Sequence, residues 1–328
     1  MATNCSELTS CPGMFCGRLN LTNSCFSSCQ ACPRGYRVDE DSLCRPCDSP
    51  ADPRDYLYLV FMGLVMLFLR LGIVTFTNWY KLKSPVVIPF YVIPAIETTL
   101  SIIFTLLVLP PQGSVGLNSC RVSSVNDFYP IFFNPSVDYV HSLKCSYEVV
   151  YPLYSMVFIF LGWNFLLHLP FLITALSYSY YAWSKEKREY FSARTEYVWL
   201  IMYPFVLLIH GTLAGLIYYT FDYVTIILAI GSFAVLSTSL HIYKFDDMKN
   251  TFKVYILGIE WLIVIGSIIL LSCGILSLTE WSDVKTRSYF LPLVLLPPLI
   301  HPVLNHFAAP LPVFQCWGVK EYADLFDY

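Results

Sequence analysis

Charge is what this sequence has least of. Only 13% of its 328 residues are Asp, Glu, Lys or Arg, about half the share of an ordinary soluble domain. So small a stock cannot cover a water-facing surface, so lipid is the solvent for most of the chain. There is no basic run long enough to follow a phosphate backbone, and the net charge is −3; nucleic acid is not an expected partner. The histidine spacings of a helical metal site, such as H-E-x-x-H, are also absent, and neither a catalytic constellation nor a cofactor is expected. The opening MATNCSELTS has neither a basic start nor an apolar run. A cleavable signal peptide is therefore not expected, and the first span would carry the preceding segment across the membrane.

What remains is strongly apolar: 56% of the residues are hydrophobic and the mean hydropathy is +0.58. A helix needs about 20 apolar residues to cross a hydrocarbon layer of roughly 30 Å. Runs of that length lie near 56–79, 86–109, 152–178, 198–220, 223–243, 254–279 and 289–309. The expected fold is an all-α polytopic membrane protein of about seven transmembrane helices (56–309). It carries a small disulfide-rich head (1–55), a long loop (110–151) and a tail (310–328). The third run, 152–178, has room to extend to Trp183, and a break near Gly162 would divide it and invert everything downstream.

Basic residues orient this arrangement. With the head outside, the inside segments hold Lys81, Lys83, Lys185, Lys187, Arg188, Arg194, Lys244, Lys249, Lys253 and Lys320. The outside loops hold Arg121, Lys144, Lys285 and Arg287, and the 55-residue head adds five more. The asymmetry favours a non-cytosolic N-terminus and a cytosolic C-terminus. Tyr56, Tyr58, Trp79 and Tyr80 flank the first run, and Tyr178, Tyr180, Tyr181 and Trp183 crowd the end of the third. Such amphipathic rings suit the headgroup layer.

Cysteines cluster at the start. Eight of twelve, Cys5, Cys11, Cys16, Cys25, Cys29, Cys32, Cys44 and Cys47, fall in the first 47 residues. Cys29-x2-Cys32 and Cys44-x2-Cys47 imitate a four-cysteine zinc site, although the gap between them is short. An oxidising compartment would instead make the set a disulfide framework. The sequons at Asn4 and Asn20 agree with a lumen and with glycosylation. Disulfides are favoured, because a head with so few apolar residues needs staples to hold a fold; eight cysteines allow 105 pairings, which sequence does not resolve. Cys120 and Cys145 bracket one loop, and a bond between them that closes it is expected.

Charges inside spans are costly and default to functional candidates. Arg70 and Glu97 lie roughly mid-depth in the first two runs, and an ion pair between them would join the helices. Glu260, His168, His210, His241, His301 and His306 are scattered over the later runs, which suggests structural rather than catalytic roles. Gly211-x3-Gly215 is a small-xxx-small pattern for close packing. Four prolines, Pro292, Pro297, Pro298 and Pro302, interrupt the last run, but no matching broken helix suggests a transport path. The inside segments are too short for a catalytic domain. Lys185, Lys187 and Arg188 in KEKREYFSARTEY, and Tyr322 and Phe326 in the EYADLFDY tail, are the candidate docking residues for partners.

SCRVSSVNDFYPIFFNPSVDYVHSLKCSYEVVYPLYSMVFIF (119–160), with CPRGYR and CRPC in the head, resembles the Jun-kinase-associated membrane protein family. The N-P-S-x-D-Y-V block and V-Y-P-L-Y are its most specific parts. The resemblance implies a multi-span protein of the endoplasmic reticulum membrane with a luminal head. It implies an adaptor that recruits proteasomes and membrane ubiquitin ligases for endoplasmic-reticulum-associated degradation in the unfolded-protein and stress responses, and that modulates Jun-kinase signalling. No proline-rich or basic-then-aliphatic kinase-docking motif stands in the inside segments. A seven-span receptor with a cysteine-rich ligand-binding head is the alternative. Against it, the third span ends in SKEKRE without an acidic-Arg-Tyr triplet, and the last lacks Asn-Pro-x-x-Tyr.

Overall fold

The computed structural model describes residues 10–22, 25–77, 88–109, 116–133, 145, 147–184, 193–242, 260–278, 296 and 300. The chain divides into two compact units, Met1–Tyr219 and Thr220–Tyr328.

Three short antiparallel pairs build the head: β1 (Cys16–Gly17) with β4 (Gln30–Ala31), β2 (Asn20–Thr22) with β3 (Cys25–Phe26), and β5 (Tyr36–Val38) with β6 (Cys44–Pro46). Two- and three-residue strands cannot stand alone, so covalent bonds hold them. Cys11–Cys29 and Cys32–Cys44 close within the head, and Cys25 is also disulfide-bonded. Gly17 is required where it stands: a Cβ there would lie 2.8 Å from Cys32 Sγ and 2.9 Å from Cys44 Sγ. Cys29, Cys32, Cys44 and Cys47 are thus occupied as disulfides, and the zinc reading fails at these positions.

The expected Cys120–Cys145 bond is not formed. Cys145 pairs with Cys16 across 129 residues, and Cys47 with Cys120 across 73. The reason lies in the backbone between them. Residues 116–120 run back along the end of the head, with Ala51 N–H donating to Leu117 O (2.8 Å), Ser119 N–H to Ser49 O (3.2 Å) and a bridge between Pro50 and Asn118. That path carries Cys120 to Cys47. Asp127, fully buried, accepts from Ser123 N–H (2.8 Å) and Ser124 N–H (3.1 Å), and Arg37 of β5 reaches it at 3.2 Å. Head and loop, read from the sequence as separate segments, are one stapled body.

Four helices among the described residues are long and apolar enough to cross a membrane. They lie in α1 (Pro53–Thr77), α2 (Ile88–Val108), α3 (Leu153–Ser184) and α4 (Ala193–Ile242); a shorter apolar helix, α5, covers Glu260–Leu278. Pro94, Pro170 and Pro204 sit inside α2, α3 and α4, as membrane helices allow where neighbours satisfy the freed carbonyls. Helix α3 runs unbroken through Gly162 and on to Ser184. The runs 198–220 and 223–243, read as two spans, belong to the single 50-residue helix α4. Tyr219, Thr220, Phe221 and Asp222 include no Gly or Pro, and nothing there stops the helix. The run 289–309 lies almost wholly outside the described residues.

Apolar packing brackets the first unit at both ends. Ala51, Leu109, Leu117 and Met156 form a buried cluster beneath the head, and Val74, Phe90 and Phe171 gather at the far end. In the second unit a Cβ on Gly274 would sit 2.6 Å from Ile226 Cγ1, so α5 meets α4 at that glycine.

Candidate functional site: a buried charge cluster across four helices

Each of the four long helices contributes one ionisable side chain to a single cluster. Arg70 of α1 pairs through Nη1 with Glu97 Oε2 of α2. Its Nη2 contacts His168 Nδ1 of α3. His168 Nε2 lies 2.6 Å from Glu196 Oε2 of α4, and its Nδ1 lies 3.3 Å from Glu97 Oε1. The Arg70 guanidinium sits 5.3 Å over the Trp199 ring, one helical turn beyond Glu196. All four charged or titratable side chains are buried, at 5% exposure or less.

Donor chemistry fixes the proton arrangement. Arginine only donates, so His168 Nδ1 accepts from Arg70 Nη2 and Nε2 carries the proton given to Glu196. The result is one guanidinium held between two carboxylates, with a neutral imidazole relaying hydrogen bonds. Two turns further along α1, Thr77 Oγ1 and Thr195 Oγ1 meet at 2.6 Å. In hydrocarbon an unpaired charge costs several kcal/mol; here Arg70 answers Glu97 directly, and the His168 N–H meets Glu196. The cluster therefore orders α2, α3 and α4 around α1.

Arg70 lies about 21 Å along α1 from Tyr56, in the half of the helix away from the head. Glu196, expected in the inside segment 184–197, is in the first turn of α4. Its signal was the spacing Glu196-x2-Trp199-x3-Tyr203, one polar-aromatic face at helical period. The place of His168 in the cluster is not legible in the sequence, because hydropathy gives a residue's depth but not the direction it faces.

A second polar cluster stands at the head end. Asp55, 2% exposed, accepts from Tyr218 Oη (2.8 Å) and Ser119 Oγ (2.7 Å), while Arg54 lies 5.4 Å over the Tyr218 ring. Tyr58 is fully buried, 5.3 Å from Tyr218, so it packs inside the bundle rather than in the headgroup layer. His210, also buried, stacks on Tyr154 at 5.2 Å. The Gly211-x3-Gly215 face receives aromatic rings instead of a helix backbone. Tyr154 Oη donates to Gly211 O (2.8 Å), and a Cβ on Gly215 would come within 2.8 Å of Tyr129 Cε2.

Asn20 is exposed on β2. Asn4, Cys5, Lys185, Lys187, Arg188, Tyr322 and Phe326 lie outside the described residues. Among the described residues no group of three or more His, Cys, Asp or Glu is arranged to hold a metal ion.

These features define a polytopic membrane protein with a disulfide-stapled extramembrane head and a closed intramembrane charge cluster. The chain belongs to the JNK1/MAPK8-associated membrane protein family, whose pattern matches residues 11–310. It is 30% identical over 305 residues to the JNK1/MAPK8-associated membrane protein of Mus musculus and equally to that of Homo sapiens, covering 92% of this chain and 94% of each relative. The Caenorhabditis elegans homolog is 28% identical over 317 residues. No solved structure matches.

Proposed function

We propose that this protein is an adaptor of the endoplasmic reticulum membrane that recruits proteasomes and membrane ubiquitin ligases for the degradation of misfolded proteins, and that modulates Jun-kinase signalling under stress. The observation that carries the reading is family membership over residues 11–310, with relatives of matching length named for association with the kinase. In this reading the head is luminal and the tail is cytosolic. The disulfide framework supports an oxidising compartment for the head, and the basic residues support cytosolic exposure of the segment around 185. A charge cluster whose members answer one another supports a scaffolding bundle. The protein acts by docking, without catalysis, and Lys185, Lys187, Arg188, Tyr322 and Phe326 are the docking residues.

The test is affinity capture from stressed cells in mild detergent, followed by mass spectrometry, on the intact chain and on one lacking 310–328. Proteasome and ligase components are expected with the intact chain and depleted with the truncation. Capture of G-protein subunits or a secreted ligand without proteasome would replace this reading with the receptor.

A further inference from the structure

We propose that the Pro130–Phe133 turn is a membrane-interface wedge, which inserts Phe132 among the lipids of the leaflet nearest the head. The proposal holds whichever compartment the head occupies.

Three consecutive apolar side chains of this turn, Ile131, Phe132 and Phe133, are exposed, Phe132 at 78%. In water such a group would be a liability, and contiguous exposed apolar surface marks a place that something covers. The position of the turn identifies the cover. Immediately before it, Tyr129 Oη accepts from Gly215 N–H (3.2 Å) and Phe128 packs on Tyr218 at 5.3 Å. Tyr218 is level with Asp55 and Tyr58 at the start of α1. Gly215 precedes Tyr218 by three residues, which places it about 4.5 Å further into the span. The loop thus descends past the Tyr58–Tyr218 level before it turns back.

The surface it joins there is lipid-facing. Leu213 and Leu216, which flank Gly215 on α4, are exposed on the outside of the span, where only acyl chains are available to solvate them. Ile131 and Phe132 extend that apolar belt from the helix onto the turn. The opposite side of the same loop is polar and belongs to the head: Arg37 donates to Arg121 O, to Ser123 Oγ (2.6 Å) and to the Asp127 carboxylate. Phe133 leans back on Phe15 at 6.3 Å. One face is anchored to the head and the other is apolar at bilayer level, so the turn is held rigidly with Phe132 outermost. Aromatic side chains partition well into this boundary layer.

The test places p-benzoylphenylalanine at position 132, and in a second chain at 131, in the full-length protein. Each is inserted into microsomes containing phosphatidylcholine with radiolabelled acyl chains. Leu21, exposed on β2 of the head, carries the same probe as the water-side control. On irradiation, lipid adducts at 132 are expected several-fold above those at 21, with 131 intermediate. Lipid labelling at both 131 and 132 no greater than at 21 overturns the proposal. So does an adduct to another protein in place of lipid, which would make the turn a protein-docking surface.

Discussion

Replacing Arg70 with methionine removes the only guanidinium from a cluster that holds two carboxylates. The substitution keeps the apolar volume but deletes the pair with Glu97, the hydrogen bond to His168 and the contact with Trp199. Breaking a buried pair from one side costs about 3–5 kcal/mol. The single change should therefore cost about 4 kcal/mol, or roughly a thousandfold in the folded population. At on the order of 2–4 °C per kcal/mol, the thermal midpoint in nanodiscs should fall by about 10 °C. Glu97→Met alone should fall comparably, because it strands Arg70. The double variant Arg70→Met/Glu97→Met leaves His168 and Glu196 as a hydrogen-bonded pair and should recover to within about 1–2 kcal/mol of the parent, since well-packed apolar residues replace a buried pair at little cost. The charge-swapped double variant should recover less, because it sets the new guanidinium on the Glu97 side of His168 and a carboxylate where Nδ1 now finds a donor. Each variant is read by fluorescence-detected size exclusion after graded heating. Additive losses in the apolar double variant would refute the reasoning, since independent sites add and coupled ones do not.

Non-reducing peptide mapping should recover 16–145 and 47–120 cross-linked peptides and no 120–145 peptide; a 120–145 linkage would show that the loop closes on itself. Gly17→Val, whose side chain would stand where Cys32 and Cys44 meet, should lose the 32–44 bond and about 2–5 kcal/mol of head stability, seen as a free-thiol signal from the mature protein. Asn20→Gln should remove one endoglycosidase-sensitive mobility shift, and an unchanged pattern would mean that this asparagine carries no glycan.

Long apolar runs were legible because a bilayer sets their length: α1 and α2 lie close to the runs 56–79 and 86–109, whereas α3 starts as expected but continues past 178 to Ser184. The partnership of Arg70 with Glu97 was legible for a related reason: two isolated charges on adjacent runs have few other partners in hydrocarbon. His168 and Glu196 escaped because their facing depends on how α3 and α4 rotate about their own axes, which packing decides. Glu196 also stands in a stretch crowded with charge, KEKREYFSARTEY, where one more carboxylate carries no distinct signal. The disulfides misled for a physical reason as well. Nearness in sequence favours local closure, but hydrogen bonds at Ala51 and Ser119 draw the loop along the head, and spatial nearness then set the pairing. The single helix α4 went unread because a change of hydropathy at Asp222 resembles a span boundary, whereas a helix ends only where backbone or capping chemistry ends it.

The adaptor reading is tested most directly by proximity labelling in intact cells, with a peroxidase fused to the C-terminus in one line and to the N-terminus in another. The account predicts proteasome and ubiquitin-ligase subunits labelled from the C-terminal fusion, and luminal endoplasmic reticulum proteins from the N-terminal one. Labelling of proteasome from neither terminus, or luminal proteins from the C-terminal fusion, would contradict it.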